Sequence, residues 1–151
     1  MSPKRRPART QADLEGTMSR PILIIEDDQE IAEVLRHSLE ARSFETRVAF
    51  TGSEGLSASL DKERPPLLIL LDLLLPEMNG LEICRRLRKE PATERTPIIM
   101  LTAKSAESDF LNARHAGVDD YITKPFSVQD VLERINMQLD LRHAGRTLKI
   151  L

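Results

Sequence analysis

The sequence predicts an α/β fold: a doubly wound, five-stranded parallel sheet. Three observations point to it. Five short apolar runs of strand length recur along the chain, each is followed by a stretch with apolar residues at helical spacing, and the repeat is about 25 residues. The runs are apolar throughout and do not alternate, as strands must be when helices cover both faces of a sheet.

"PILII" (21–25) is the first strand, and Ile31, Val34, Leu35 and Leu39 mark the first helix. "TRVAF" (46–50) is a weaker second strand, and "TGSEGL" opens a short helix through a Gly-Ser start signal. "LLILL" (67–71) is the third strand. After "PEMNG" a helix runs from about Leu81 to Lys89, with Ile83 and Leu87 on its apolar face. "PIIML" (97–101) is followed by a helix from about Ala106 to Ala116, and "YIT" (121–123) by a last helix from near Ser127 to at least Leu139.

Composition narrows the function. A chain of 151 residues suits one domain plus tails. Aromatics are 3%, so the core must be aliphatic. The single Cys84 excludes an internal disulfide framework and a cysteine-based zinc cluster, and fits a small helix residue in a reducing cytosol. No apolar run approaches the roughly 18 residues of a membrane span, and "KRR" at 4–6 is followed by no apolar signal region. The expected location is cytoplasmic. Five basic residues against two acidic ones give residues 1–20 a net charge of +3, leaving −5 for the remaining 131. A mildly acidic domain with a short basic arm is poorly suited to bind nucleic acid directly. The arm, residues 1–19, has no apolar periodicity and is expected to be disordered.

In open parallel sheets ligands sit at the carboxyl ends of the strands. Strand one ends in Glu26-Asp27-Asp28, strand three in Asp72, strand four in Thr102-Ala103, and strand five in Thr123-Lys124-Pro125. Each has an ordinary reading alone: acids capping a helix, a strand-end hydroxyl, a solvated lysine. Together they bring carboxylates, a hydroxyl and an ammonium to one edge. Like charges so placed repel unless a cation joins them, and a set of oxygens suits a hard divalent ion such as Mg²⁺ that keeps waters for a phosphate.

At these residues the sequence resembles the receiver domain of two-component response regulators. The matching pieces are "ILIIEDD", "LLDLLLPEMNGLE", "PIIMLTAK" and "AGVDDYITKPF". The gaps agree too: 45 residues from Asp27 to Asp72, 30 from Asp72 to Thr102 and 22 from Thr102 to Lys124. The resemblance covers about residues 20–142 and implies a (βα)₅ flavodoxin-like fold.

It implies that Asp72 accepts a phosphoryl group from a sensor histidine kinase or a histidine phosphotransfer protein. Asp27 would hold Mg²⁺ directly and Glu26 through water, with Asp72 and the backbone carbonyl of Leu74 as further ligands and Mn²⁺ as a substitute ion. Thr102 would bond one phosphoryl oxygen and Lys124 another. Thr102 and Tyr121 would form the switch that acts on the surface of the fourth helix, fifth strand and fifth helix. The Lys124–Pro125 bond is expected to be cis. Asp28, which the family does not require, is assigned to the start of the first helix. Kinase specificity would lie near Ile31 to Leu39. The domain would be a signalling unit, not an enzyme in the ordinary sense, with intrinsic autophosphorylation and autodephosphorylation. Leu74 and Lys104, two residues past Asp72 and Thr102, stand where the family tunes access of hydrolytic water, and apolar Leu74 predicts a slowly hydrolysed phosphoryl group.

Two departures bear on detail. Leu67 stands where the family usually has an acid. Phe110 stands where winged-helix regulators carry a basic residue for a symmetric charge network, of which Asp119, Asp120, Asp130 and Arg134 remain. That weakens, without removing, a homodimer through the fourth helix, fifth strand and fifth helix. A second dimer route is the C-terminal helix. Met137, Leu141, Ala144, Leu148 and Leu151 are spaced as a heptad seam, and residues 143–151 read as a helical extension or linker to an output domain not visible in this sequence. The chain stops inside an apolar pattern, as a fragment would. Two alternatives remain: a degenerate receiver acting only as a docking module, and a phosphohydrolase with an aspartate nucleophile. The second wants an acid at Leu74.

Overall fold

The computed structural model describes residues 20–103 and 107–143. The predicted basic arm, Lys104 and the end of the heptad seam at 144, 148 and 151 lie outside them. The elements, in chain order, are β1 (Ile22–Ile25), α1 (Gln29–Glu40), β2 (Thr46–Ala49), α2 (Gly52–Ser59), β3 (Leu68–Asp72), α3 (Gly80–Arg88), β4 (Ile98–Thr102), α4 (Glu107–Ala116), β5 (Asp120–Thr123) and α5 (Val128–His143). All five strands are parallel, in the order β2-β1-β3-β4-β5.

The apolar runs supply both faces of the sheet, since successive side chains point opposite ways. Leu23, Ile25, Ile69, Leu71, Ile98 and Met100 face α2, α3 and α4 through Ala58, Ile83, Leu87 and Ala113. Ile22, Ile24, Leu68, Leu70, Ile99 and Leu101 face α1 and α5 through Ala32, Leu35, Leu39, Val131 and Ile135. Each fully buried aliphatic side chain contributes about 1.5–3 kcal/mol, which makes these two layers the main source of stability.

The boundaries shift slightly from the sequence reading. β3 and β4 each begin and end one residue later than their apolar runs, because the pairing carries on through the polar residue: Asp72 pairs with Leu101, and Thr102 with Thr123. The start of α2 is set by Thr51, not by the Gly-Ser pair. The Thr51 hydroxyl accepts from the Glu54 N–H at 3.1 Å, and the Glu54 carboxylate accepts from the Phe50 N–H at 2.9 Å. The pair differs from a capping box in that the Glu54 carboxylate takes the N–H of the residue before the cap and not that of Thr51 itself. Asp28 takes the expected place before α1, accepting from the Glu30 and Ile31 N–H groups.

The amino edge of the sheet is fastened by Arg88. Its guanidinium donates to the carbonyls of Gly117, Thr93, Glu94 and Thr96 and to the Asp119 carboxylate at 2.8 Å. Asp119 also accepts from the Ile98 N–H. Gly117 has φ +100° and its α-carbon faces the Arg88 side chain, so a Cβ there would sit 2.8 Å from Arg88 Cγ. Asp119 is therefore turned inward, and Asp120 is held within the chain by Arg134 at 2.7 Å. The three acids of the expected charge network, Asp119, Asp120 and Asp130, have partners inside this chain.

Candidate functional site

The strand order changes direction between β1 and β3, so their carboxyl ends flank the crevice where ligands bind in such sheets. Glu26 and Asp27 follow β1, and Asp72 ends β3. One carboxylate oxygen from each lies within 4.8 Å of the others. Glu26 and Asp72 are buried and Asp27 is exposed.

Backbone amides fix the two buried acids. Glu26 Oε2 accepts from the Asp28 N–H at 3.1 Å, and Asp72 Oδ1 accepts from the Leu74 N–H at 3.1 Å. Their other oxygens share one ammonium: Lys124 Nζ donates to Glu26 Oε1 at 2.9 Å and to Asp72 Oδ2 at 3.3 Å. Lys124 reaches them from the end of β5, where its N–H donates to the Thr102 carbonyl at 2.7 Å and the following Lys124–Pro125 bond is cis.

The turn after Asp72 is closed by an antiparallel bridge between Leu74 and Asn79, and the Leu73 carbonyl accepts from the Gly80 N–H at 2.7 Å. Only glycine fits at position 80, since a Cβ would lie 2.5 Å from the Asp72 carbonyl oxygen. Asn79 caps α3 by accepting from the Leu81 N–H. Leu74, whose N–H bonds Asp72, leaves its side chain half exposed at this turn.

The electrostatics are unbalanced. Burial pushes the Glu26 carboxyl up to about 7, with Asp72's negative charge adding to it and the bonds from Lys124 and Asp28 opposing it. Burial works to lower Lys124, but the Glu26 bond and the negative charges of Asp72 and Glu26 hold it above the ordinary lysine value. Three carboxylates thus face one ammonium. Hard oxygen donors in excess of local positive charge form the donor set a divalent cation of the Mg²⁺ type requires.

Thr102 is fully buried at the end of β4 and is hydrogen-bonded to Tyr121. Tyr121 is 6% exposed, so its ring points inward. Burial, and the negative charge of Asp109, raise its phenol above the ordinary value. Phe110 of α4 meets the ring edge-on, centroids 4.3 Å apart. Glu26, Asp27, Asp72, Thr102 and Lys124 come from the carboxyl edge of the sheet, and Tyr121 from within β5, level with Met100 of β4. In sequence, Phe110 reads only as the place of a missing basic residue, and its packing is not apparent. The signal that could have found it is an aromatic at helical spacing from Ala113, on the face of α4 that covers β4 and β5.

A groove of about 570 Å³ lies beside this edge, between α1 and the start of α5. Ile31, Val34, Pro125, Phe126 and Val128 line it, with Glu30 and Lys124 at its rim. Among the described residues no helix is long and apolar enough to cross a membrane.

Comparison with known proteins agrees with this arrangement. The family described as response regulator receiver domain matches residues 22–136. The phosphate regulon transcriptional regulatory protein PhoB of Rhizobium meliloti is 42% identical over 118 residues, covering 78% of this chain and 51% of the relative. The DNA-binding response regulator MtrA of Mycolicibacterium smegmatis is 42% identical over 123 residues, covering 82% of this chain and 52% of the relative. The chain spans about half the length of these relatives. Among solved structures, a CheY-like receiver domain protein from Methanospirillum hungatei JF-1 superposes with a TM-score of 0.77 at 31% identity, covering 83% of this chain and 98% of that one. A Francisella response regulator receiver domain does so at 0.73 and 30%, covering 80% and 97%. The chain belongs to the response regulator receiver domain family and is the receiver domain of a two-component response regulator, a signal-transduction module.

Proposed function

We propose that Asp72 accepts a phosphoryl group from a phosphohistidine on a sensor histidine kinase or a histidine phosphotransfer protein, with Mg²⁺ held by Glu26, Asp27, Asp72 and the Leu74 carbonyl. One observation carries this reading. Asp72 Oδ1 is fixed by a backbone amide, while Oδ2 faces an ammonium within a set of carboxylates that lacks positive charge.

In the transfer, an Asp72 carboxylate oxygen bonds to phosphorus and the histidine nitrogen–phosphorus bond breaks, its electron pair leaving with the imidazole, which takes up a proton. The protein supplies position and charge, which is most of what phosphoryl transfer requires. The Leu74 N–H aims the nucleophile. Lys124 neutralises an equatorial oxygen of the transferring group, and the Thr102 hydroxyl bonds another. The bound metal would neutralise the remaining charge on the carboxylates and phosphoryl oxygens. Hydrolysis reverses the modification when water attacks phosphorus and Asp72 leaves as carboxylate. Autophosphorylation from small phosphodonors uses the same groups.

The groove beside α1 is a fitting dock for the donor. Its floor is apolar, Val34 is half exposed, and Lys124 forms part of its rim, so a helix seated there is next to the acceptor. We infer a cytoplasmic protein whose phosphorylated state is read through α4, β5 and α5, with no direct contact to nucleic acid by the receiver itself. A homodimer through that surface or through the C-terminal helix completes the reading.

Incubation with acetyl phosphate and Mg²⁺, followed by intact mass measurement, tests the assignment. One added phosphoryl group is expected, and none after Asp72→Asn or in excess chelator. Labelling that survives Asp72→Asn removes it.

A further inference from the structure

The resemblance makes Tyr121 one half of a switch that turns inward on phosphorylation, yet here Tyr121 is inward with Asp72 unmodified. Two contacts hold it. The Thr102 hydroxyl bonds it from β4, and the Phe110 ring meets it edge-on from α4, centroids 4.3 Å apart at an interplanar angle of 66°. Phe110 is itself half-buried, packed onto the core layer that includes Met100, Ala113 and Ala116, so it offers a fixed surface. An aromatic edge against a face is directional and is lost if either ring turns away.

With Tyr121 already inward at 6% exposure, modification of Asp72 leaves it no inward turn to make.

We infer that Phe110 is a positioning residue that clamps Tyr121 inward and so pre-sets the α4, β5 and α5 surface in its signalling arrangement before phosphorylation. This rests on the phospho-acceptor reading of Asp72 for its consequence, but not for its geometry. By linkage, a group that favours the inward state also favours whatever binds better to that state. Weakening the clamp then lowers the in-to-out ratio of Tyr121 by about two- to tenfold, the usual worth of an edge contact between rings. It weakens a phosphoryl mimic by no more than that factor, since apparent affinity scales with the competent fraction.

Tyr121 is the single tyrosine and the chain has no tryptophan, so a ring-¹³C tyrosine label reports this one side chain. The experiment follows that signal in the wild type, Phe110→Leu and Phe110→Lys, with and without Mg²⁺ and beryllofluoride, whose bound form is read separately by ¹⁹F resonance. The expected wild-type ring signal is shifted from the exposed position and barely moves on adding beryllofluoride. In Phe110→Lys it moves toward the exposed position, returns on saturation, and the beryllofluoride midpoint rises. Phe110→Leu, which keeps apolar volume, falls between and guards against a lysine variant that does not fold. A wild-type signal that starts exposed and moves inward only with beryllofluoride overturns the clamp and leaves the Asp72 reading intact. So does a signal unchanged in both variants. Absence of any bound ¹⁹F signal instead defeats the Asp72 reading, and the unliganded spectra still decide the clamp.

Discussion

Two clusters of buried charge sit at opposite edges of one sheet, and they are built differently. At the amino edge, Arg88 and Asp119 are one cation and one anion, and four backbone carbonyls and the Ile98 N–H complete their hydrogen bonds. At the carboxyl edge, Glu26, Asp27 and Asp72 share one ammonium, and a buried carboxylate is driven to about 7. The first cluster is complete in itself and holds loops together. The second is short of positive charge. Balance at one edge and imbalance at the other separates a structural ion pair from the cluster proposed to react, although both are built from acids and one basic side chain.

The largest effect should come from breaking the balanced cluster. Arg88→Met strands Asp119 and frees four carbonyls, and removal of one partner from a buried pair costs about 3–5 kcal/mol. Urea unfolding should show that loss, while the folded fraction still accepts a phosphoryl group. Loss of acceptance at unchanged stability would mean that the two edges are not independent.

The unbalanced cluster should show itself in pH. Glu26 titrates near 4.5 in the unfolded chain and at about 7 in the fold, so between these values the folded protein holds a proton that the unfolded chain has released. Its contribution is fully present below 4.5 and is lost as pH rises through 7, on the order of 3 kcal/mol in metal-free buffer. Lys124 stays charged across the window, because its own value is raised. Glu26→Gln should flatten the profile, and Mg²⁺ should restore stability above pH 7. A stability that rises from pH 5 to 8 without metal would contradict the imbalance.

A smaller effect is expected at Gly80. A methyl group there meets the Asp72 carbonyl at 2.5 Å, and such overpacking costs about 1–3 kcal/mol. Because the displaced atoms belong to the acceptor turn, Gly80→Ala should slow labelling by acetyl phosphate more than its stability loss explains. The smallest effect on stability belongs to Leu74. Replacing this exposed leucine with asparagine should leave the unfolding midpoint unchanged while shortening the lifetime of the phosphoryl group, because a polar side chain can order water beside it. Decay of the wild-type phosphoryl group within seconds would contradict the shielding role of Leu74.

The strands were legible because burial on both faces demands unbroken apolar runs, and the site was legible because strand ends can be read off those runs. The ends of β3 and β4 were one residue out for the same reason: hydropathy stops at Leu71 and Leu101, whereas backbone pairing includes Asp72 and Thr102. The Thr51 cap was readable as Thr-x-x-Glu and was obscured by the glycine beside it. Arg88 was not readable, because its partners lie 5 to 31 residues away and are mostly carbonyls, which leave no mark on a sequence. Asp119 and Asp120 illustrate the limit. Adjacent acids read as one surface pair, yet consecutive residues entering a strand face opposite ways, toward Arg88 and toward Arg134.

The most direct test of the account locates the modification itself. Borohydride reduces an aspartyl phosphate to homoserine at the acceptor residue, so the protein treated with acetyl phosphate and Mg²⁺ can be reduced, digested and mapped by mass spectrometry. Homoserine is expected at position 72 alone. Reduction at position 26, 27 or 28, or no acyl phosphate at position 72, would contradict it.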